Sequence, residues 1–289
     1  MDKLYSPAKM AQLRAKHDFR HSKSLGQNFL SDKNIIDAII EGSEIGAEDL
    51  VIEIGPGMGV LTAAAAECAS RVVAVEIDRH LIPILTETLE NYDNVEIINA
   101  DVMKTDLSEV VEKYRTLGKV RIIGNLPYYI TTPIVMKLLE EKLPVDSLTV
   151  MVQKEAAVRI CAAPGTRAFG AVSVAVQYYS QPQILFDVPR DCFFPAPNVD
   201  SAVIRLNIRK EPPVKLETEE KQFFKLVKAA FGQRRKTVLN SLNTGLGKSK
   251  EELSAALQQA GIAPTARAEK LTMEQFGTLC NLLFPNKTK

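Results

Sequence analysis

The amino-acid sequence predicts an α/β protein. An open, mainly parallel sheet of Rossmann-like type spans residues 25–209, a small all-α domain spans 210–289, and a basic arm, 1–24, precedes both. Three observations carry that reading. Short apolar runs alternate with helical stretches between Val51 and Val152, which is the pattern of βαβ units. A glycine-rich turn, Gly55-Pro56-Gly57-Met58-Gly59, joins the first run to an alanine-rich helical stretch. Beyond Glu211-Pro212-Pro213, which reads as a linker, helical patterns follow one another without strands. With 289 residues, 46% of them hydrophobic, the chain is long enough to bury a core in one large and one small domain.

In the arm, Lys3, Lys9, Arg14, Lys16, Arg20 and Lys23 face only Asp2 and Asp18. Pro7 to Phe19 reads as helical, but nothing in it demands a core, so a loosely held, solvated segment is expected, with an RNA contact as the equal alternative. His17, His21 and His80 show neither ligand nor general-base patterning. Ser24 to Leu30 is either a turn packing Phe29 and Leu30 on the core or a lid over a bound cofactor. Ser31-Asp32 supplies the N-cap of a helix over Asn34 to Glu41.

The unit from Val51 to Asp78 organises the rest. A strand (Val51, Ile52, Ile54) enters the glycine turn, a helix leaves it, and a second strand (Val72 to Val75) ends on Glu76. Gly55 and Gly57 permit positive φ and place no Cβ between backbone and ligand. Glu76 lies where such a unit sets an acid against ribose hydroxyls. A dinucleotide site would read G-x-G-x-x-G. Here the spacing is Gly55-x-Gly57-x-Gly59 with Glu53 two positions before it, which resembles the first motif of S-adenosylmethionine (AdoMet) dependent methyltransferases. A carboxylate beside the turn suits a ligand bearing an ammonium and a sulfonium better than one bearing phosphates.

The alternation continues with a helix over Arg79 to Leu89 and a strand over Val95 to Asn99. Asp101 then follows, either accepting from an adenine amino group or capping the segment Val102 to Tyr114. Val120 to Gly124 is a strand that delivers Asn125-Leu126-Pro127-Tyr128. Pro127 stiffens the turn so that the Leu126 carbonyl faces a pocket, the Asn125 amide oxygen is a second acceptor, and Tyr128 offers a stacking face. Two acceptors beside an aromatic plate match an exocyclic amino group on a flat heterocycle. Helix Pro133 to Glu141, strand Ser147 to Val152, helix Lys154 to Cys161 and a mobile loop, Ala163 to Thr166, come next. Ala171 to Tyr179 and Val199 to Ile208 read as β-rich, a hairpin-like pair. Between them Phe193 and Phe194 either plug the core or supply a second stacking wall. Helices are expected over Glu217 to Phe231, Arg234 to Leu242, Lys250 to Ala260 and Thr272 to Phe284.

A net charge of +1 neither favours nor excludes nucleic acid, yet every charge from Lys221 to Lys250 is positive. Lys221, Lys225, Lys228, Arg234, Arg235 and Lys236 are therefore the candidate phosphate contacts, with a solvated helix face as the alternative. Four scattered cysteines without companion histidines exclude a metal cluster and a disulfide framework. The N-terminus lacks a signal-peptide core and no run is long enough to span a bilayer, so a cytoplasmic protein is expected.

Taken together, Leu25 to Leu30, Glu53 to Gly59, Val75 to Asp78, Asn99 to Asp101, Asn125 to Tyr128, Phe193 to Ser201 and Phe231 to Thr237 closely resemble the rRNA adenine N6,N6-dimethyltransferases. The resemblance implies a class I AdoMet-dependent methyltransferase sheet, with AdoMet contacts at Asn28, Leu30, Gly55, Glu76, Asp101 and Asn125. It also implies dimethylation of two adjacent adenosines near the 3′ end of small-subunit rRNA, in a pre-30S particle, by a monomer. Asn125, Leu126, Pro127, Tyr128 and Phe193 would form the catalytic site, the two rings holding an extruded base. Three readings compete. They are a large-subunit rRNA methyltransferase conferring macrolide resistance, a non-catalytic assembly factor, and a nicotinamide dehydrogenase, the last disfavoured by glycine spacing.

Overall fold

The computed structural model describes residues 4–20, 22 and 25–285. Met1 to Lys3, His21, Lys23 and Ser24 of the arm lie outside the described residues. The chain divides into two compact units, Met1–Ala157 with Gln181–Ile208, and Val158–Ser180 with Arg209–Lys289. The first unit takes in the N-terminal arm and closes at Ile208, next to the expected end of the sheet domain at 209, while Val158–Ser180 groups with the helical unit.

Among the described residues nine strands run in chain order as β1 (Phe29–Leu30), β2 (Leu50–Ile54), β3 (Arg71–Glu76), β4 (Val95–Asn99), β5 (Val120–Asn125), β6 (Ser147–Gln153), β7 (Ser180–Val188), β8 (Phe193–Phe194) and β9 (Ser201–Ile208). Seven form one mixed sheet in the order β4-β3-β2-β5-β6-β9-β7, while β1 and β8 pair separately. Strands β2, β3, β4, β5 and β6 are joined by parallel ladders, and β9 returns antiparallel beside β6. Val51, Ile52, Val72, Val73, Ile123, Val150 and Val152 are fully buried. Such continuous apolar strands are what a sheet covered on both faces requires. The chain leaves β2 toward β3 and β4 on one side and reaches β5 and β6 on the other. Between β2 and β5 the order therefore reverses, and a crevice opens beyond the strands' carboxyl ends.

The N-terminal segment differs from expectation. Helix Pro7–Lys16, capped by the Ser6 hydroxyl on Lys9 N–H (3.2 Å), buries Met10 and Leu13, and Phe19 follows them inward. All three join Phe29, Met58, Leu81, Ile84 and Leu85 in one cluster. Two apolar residues three apart make a faint pattern among six basic ones, but they suffice to seat the helix. Lys16 and His17 add a rim, at 2.8 and 2.7 Å from Glu87.

In the second unit, Ala171–Tyr179 is a helix rather than a strand. Its valines are β-formers by propensity, but Ser173 Oγ accepts the Gly170 N–H (3.0 Å) and donates to the Arg159 carbonyl (2.6 Å), anchoring the first turn. Val174 and Tyr178, one turn apart, pack on Phe223, Leu226 and Phe276, and tertiary burial overrides local preference. The other helices are Glu220–Phe231, Val238–Leu246, Lys250–Gln259 and Met273–Leu283. The expected mobile loop at Ala163 to Thr166 is tied down, with Gly165 N–H on the Glu269 carbonyl (2.6 Å) and Lys270 Nζ on the Gly165 carbonyl (3.0 Å). The partner of β9 is the edge strand β7, which contains Pro182, a residue tolerated only at a sheet's margin. No helix of the described residues is long and apolar enough to cross a membrane.

Leu13→Ala removes a buried side chain from the N-terminal helix. Urea denaturation should show a loss of about 2–5 kcal/mol, where a solvated arm would give no change.

Candidate active site

The glycine turn follows β2 at the reversal of strand order. Gly55 and Gly57 hold φ of +73° and +61°, and a Cβ on Gly57 would lie 2.9 Å from the Phe29 ring. Gly55 N–H donates to the Val75 carbonyl at 3.0 Å, which fastens the turn to β3. Two adjoining clefts open there, sharing Gly55, Ile77, Pro127 and Tyr129. The first adds Asn28, Gly57, Glu76, Asn125, Leu126 and Tyr128, the second Asp101, Val102 and Ile134.

The clefts thus bring together Asn28, Gly55, Glu76, Asp101, Asn125, Leu126, Pro127 and Tyr128. Leu30 is instead packed in the core, because strand alternation in β1 turns Phe29 to the cleft and Leu30 toward Val51 and Ile123. Phe193 likewise lies outside both clefts. Paired with Leu30 across β1 and β8, it is 4% exposed, sits with Val188 and Val203, and lines neither cleft. Of the two expectations for this pair of phenylalanines, Phe193 takes the core role. Tyr129, Gln27 and Ile77 line the clefts without having been singled out. Tyr129, 61% exposed beside Tyr128, carried the one available signal, a large ring in a proline-stiffened turn.

Asn125 ends β5, and its Nδ2 donates to the Asn28 carbonyl at 2.8 Å. The amide has one donor end and one acceptor end, so its Oδ1 is left for the cleft. Among the described residues no donor meets the Leu126 carbonyl, while Leu126 N–H is used on Met151 (3.1 Å). The strap over the cleft is pinned by Gln27, whose Nε2 donates to Asp78 at 2.7 Å and whose Oε1 accepts from Ser22 N–H at 2.9 Å. Asp101 Oδ1 accepts the Met103 N–H at 2.9 Å and closes a turn. The following helix begins only at Ser108, so Asp101 is not its cap.

The electrostatics are one-sided. Glu76 is 4% exposed and accepts from Gly57 N–H (3.2 Å) and Asp78 N–H (2.8 Å). Burial pushes its carboxyl up to about 7, against those two donors and with Asp78 adding to the rise. Glu53, in the middle of β2, is pushed to about 8 by complete burial, and its Oε2 has no partner. Among the described residues no lysine or arginine forms an ion pair with either. Glu76 lines the first cleft while Glu53 lies behind it, and a carboxylate without a cationic partner on the wall disfavours phosphates and fits a cationic ligand with a ribose, as AdoMet is.

The second unit presents a separate feature. Lys221, Lys225 and Lys228 lie on the exposed side of Glu220–Phe231, and Arg234, Arg235 and Lys236 are exposed in the turn before Val238–Leu246. Lys221 pairs with Glu219, and an Arg234 guanidinium N–H donates to the Arg167 carbonyl at 2.7 Å.

The sheet and its cleft define a class I AdoMet-dependent methyltransferase, and solved structures agree. The 23S rRNA methyltransferase ErmE superposes with TM-score 0.69 at 28% identity, over 89% of this chain and 99% of that one. A dimethyladenosine transferase from Plasmodium falciparum gives 0.72 at 25%, over 87% and 95%. Residues 18–284 match the ribosomal RNA adenine dimethylase family, to which the chain belongs. Ribosomal RNA small subunit methyltransferase A of Alkaliphilus metalliredigens is 54% identical over 280 residues, 96% of this chain and 97% of its own. The protein of that name from Clostridioides difficile is 50% identical over 284 residues, 98% of each. The chain is thus an rRNA adenine dimethyltransferase with AdoMet as methyl donor, as the motif resemblance implied.

The raised carboxyls make binding pH-dependent. Protonation is favoured in the folded state, so this contribution to stability is complete below about 4.5 and lost as pH rises through about 7 for Glu76 and about 8 for Glu53. A cationic ligand favours the carboxylate, so binding expels protons. Calorimetry should show AdoMet affinity rising with pH up to about 7, by up to about tenfold per unit for each proton released. Glu76→Gln should abolish its share of proton release and weaken binding; unchanged affinity would remove Glu76 from the cofactor site.

Proposed function

We propose that this chain dimethylates the N6 amino groups of two adjacent adenosines near the 3′ end of small-subunit (16S) rRNA, working as a cytoplasmic monomer on a pre-30S particle. The observation that carries the chemistry is the Asn125 amide, whose donor end is held by the Asn28 carbonyl (2.8 Å), which leaves its oxygen for the cleft that Leu126 also lines. The identity of the small-subunit relatives over nearly the whole chain supports the choice of target.

Asn28, Gly55, Glu76 and Asp101 would hold AdoMet, with Glu76 at the ribose and Asp101 at the adenine end. When bound, that cofactor supplies an electrophilic methyl group on a sulfonium. The chain's own contribution is geometric. An adenine amino nitrogen is a weak nucleophile because its lone pair is delocalised into the ring. Donating its two N–H bonds to Asn125 Oδ1 and the Leu126 carbonyl favours a pyramidal nitrogen with its lone pair turned toward the cofactor cleft. Pro127 keeps that corner stiff, and Tyr128 stacks on the extruded base. No strong base is required, since methyl transfer leaves the amino nitrogen positively charged and strongly acidic, and it gives its extra proton to solvent. After the first methylation one N–H remains, and the corner must accept a methyl in place of the other. Phe193, buried in the core, takes no part in this account.

Incubation with labelled AdoMet and separated unmethylated subunits should label only the small one, at two neighbouring adenosines. Label on the large subunit would favour the macrolide-resistance reading. In the same assay Asn125→Ala should slow transfer by roughly 10²-fold, the scale of one lost preorganised hydrogen bond. An undiminished rate would refute the acceptor role.

The exposed basic residues of the helical unit are proposed to bind rRNA phosphates. Neutralising Arg234, Arg235 and Lys236 together should weaken subunit binding and lower the slope of log K against log salt by about 2–3, at roughly 0.7–0.9 per phosphate contact. An unchanged slope would leave these side chains as a solvated face.

A further inference from the structure

Ser201 opens β9 and is fully buried, opposite Gln153 at the carboxyl end of β6. Its Oγ lies 2.6 Å from the phenolic oxygen of Tyr128, 73 positions away in the chain. The segment around it is pinned. The Asp200 carbonyl accepts the Lys154 N–H at 3.1 Å, and Asp200 Oδ1 accepts the Arg190 N–H at 3.1 Å. Tyr128, by contrast, stands in the turn beyond β5, half-buried, and lines the cleft. A tyrosine there has two soft side-chain torsions, and its aryl torsion is broad. A hydrogen bond at the far end of the ring restrains both.

We propose that Ser201 is a positioning residue for methyl transfer: its hydroxyl clamps the Tyr128 ring in the plane on which the target adenine stacks, and so aims the adenine amino group at Asn125 Oδ1 and the Leu126 carbonyl. The proposal rests on the stacking role given to Tyr128 above. Neither hydroxyl touches the reacting atoms, so the bond acts through ring orientation alone. It follows that removing the bond from either end does the same damage, and removing it from both ends does no more.

Single-turnover methylation of unmethylated small subunits at saturating AdoMet tests this with Ser201→Ala, Tyr128→Phe and the double variant, each checked by circular dichroism for a native fold. Each single change should slow the saturated rate by about tenfold, the worth of one hydrogen bond. The half-saturating subunit concentration and the calorimetric AdoMet affinity should stay within about twofold, because neither depends on where the ring points. The double variant should match the slower single. A wild-type rate in Ser201→Ala, or single losses that multiply in the double variant, would overturn the proposal. Should Ser201→Ala fail to fold, Tyr128→Phe breaks the same bond from the half-buried side, and a wild-type rate there overturns it equally. Tyr128→Ala separates the two readings. If that variant is as fast as wild type, the stacking role itself is wrong; if it is slow while Ser201→Ala is fast, only the clamp is.

Discussion

An amide side chain can turn only one of its two ends toward a ligand, and at Asn125 a backbone carbonyl 97 residues earlier makes that choice. With its N–H on Asn28, the side chain is fixed as an acceptor at the mouth of the cleft. The same bond joins the end of β5 to the strap running up to β1, and the strap is held at its other end by Gln27 on Asp78. One contact therefore couples the wall that receives the cofactor to the corner that receives the base. Nothing in the corner needs to titrate; what it needs is that the carbonyl of Asn28 stay where it is. Packing serves that end, since Phe29 beds against Gly57, and a side chain at that glycine would collide with the ring.

Carboxylates on the other wall make the free protein electrostatically imperfect. Glu53, behind the cleft, is buried with an unpartnered oxygen, Glu76 on its wall is buried with only two backbone N–H donors, and neither meets a cation among the described residues. An isolated buried charge is costly enough that such groups shift toward neutrality, which is the direction found for both. A site optimised for stability would place an arginine here. Leaving the pair uncompensated costs folding free energy and gains affinity for a positively charged ligand, a trade natural binding sites make often.

Most of the chemistry could be read in the sequence because it resides in turns, where backbone geometry limits residue choice. The glycine bend and the asparagine-to-tyrosine corner are of that kind, and each occupies the end of a strand whose apolar run is plain. Where the reading failed, tertiary context outweighed local pattern. Ala171–Tyr179 is rich in valine and reads as a strand, yet Ser173 and an apolar face against Phe223 make it helical. Strand β7 was hidden by Pro182 and by the polar residues an edge tolerates. Met10 and Leu13 were outnumbered by lysines and arginines, although two well-placed apolar side chains outweigh many solvated charges in deciding what is buried. The pair Phe193-Phe194 could not be split by sequence. Only the pairing with β1 shows which ring faces the core.

Strand β9 explains how a residue so late in the chain reaches the site. A parallel strand brings its carboxyl end to the crevice, so β2, β3 and β5 contribute the residues that follow or close them: Gly55, Glu76 and Asn125. An antiparallel strand brings its amino end instead. By returning beside β6, β9 places its first residue, Ser201, at the same end of the sheet, buried opposite Gln153 and within hydrogen-bond reach of Tyr128. The mixed character of the sheet is thus a functional property, because it puts a rigid, ladder-bonded hydroxyl beside a ring that a turn alone could not hold still.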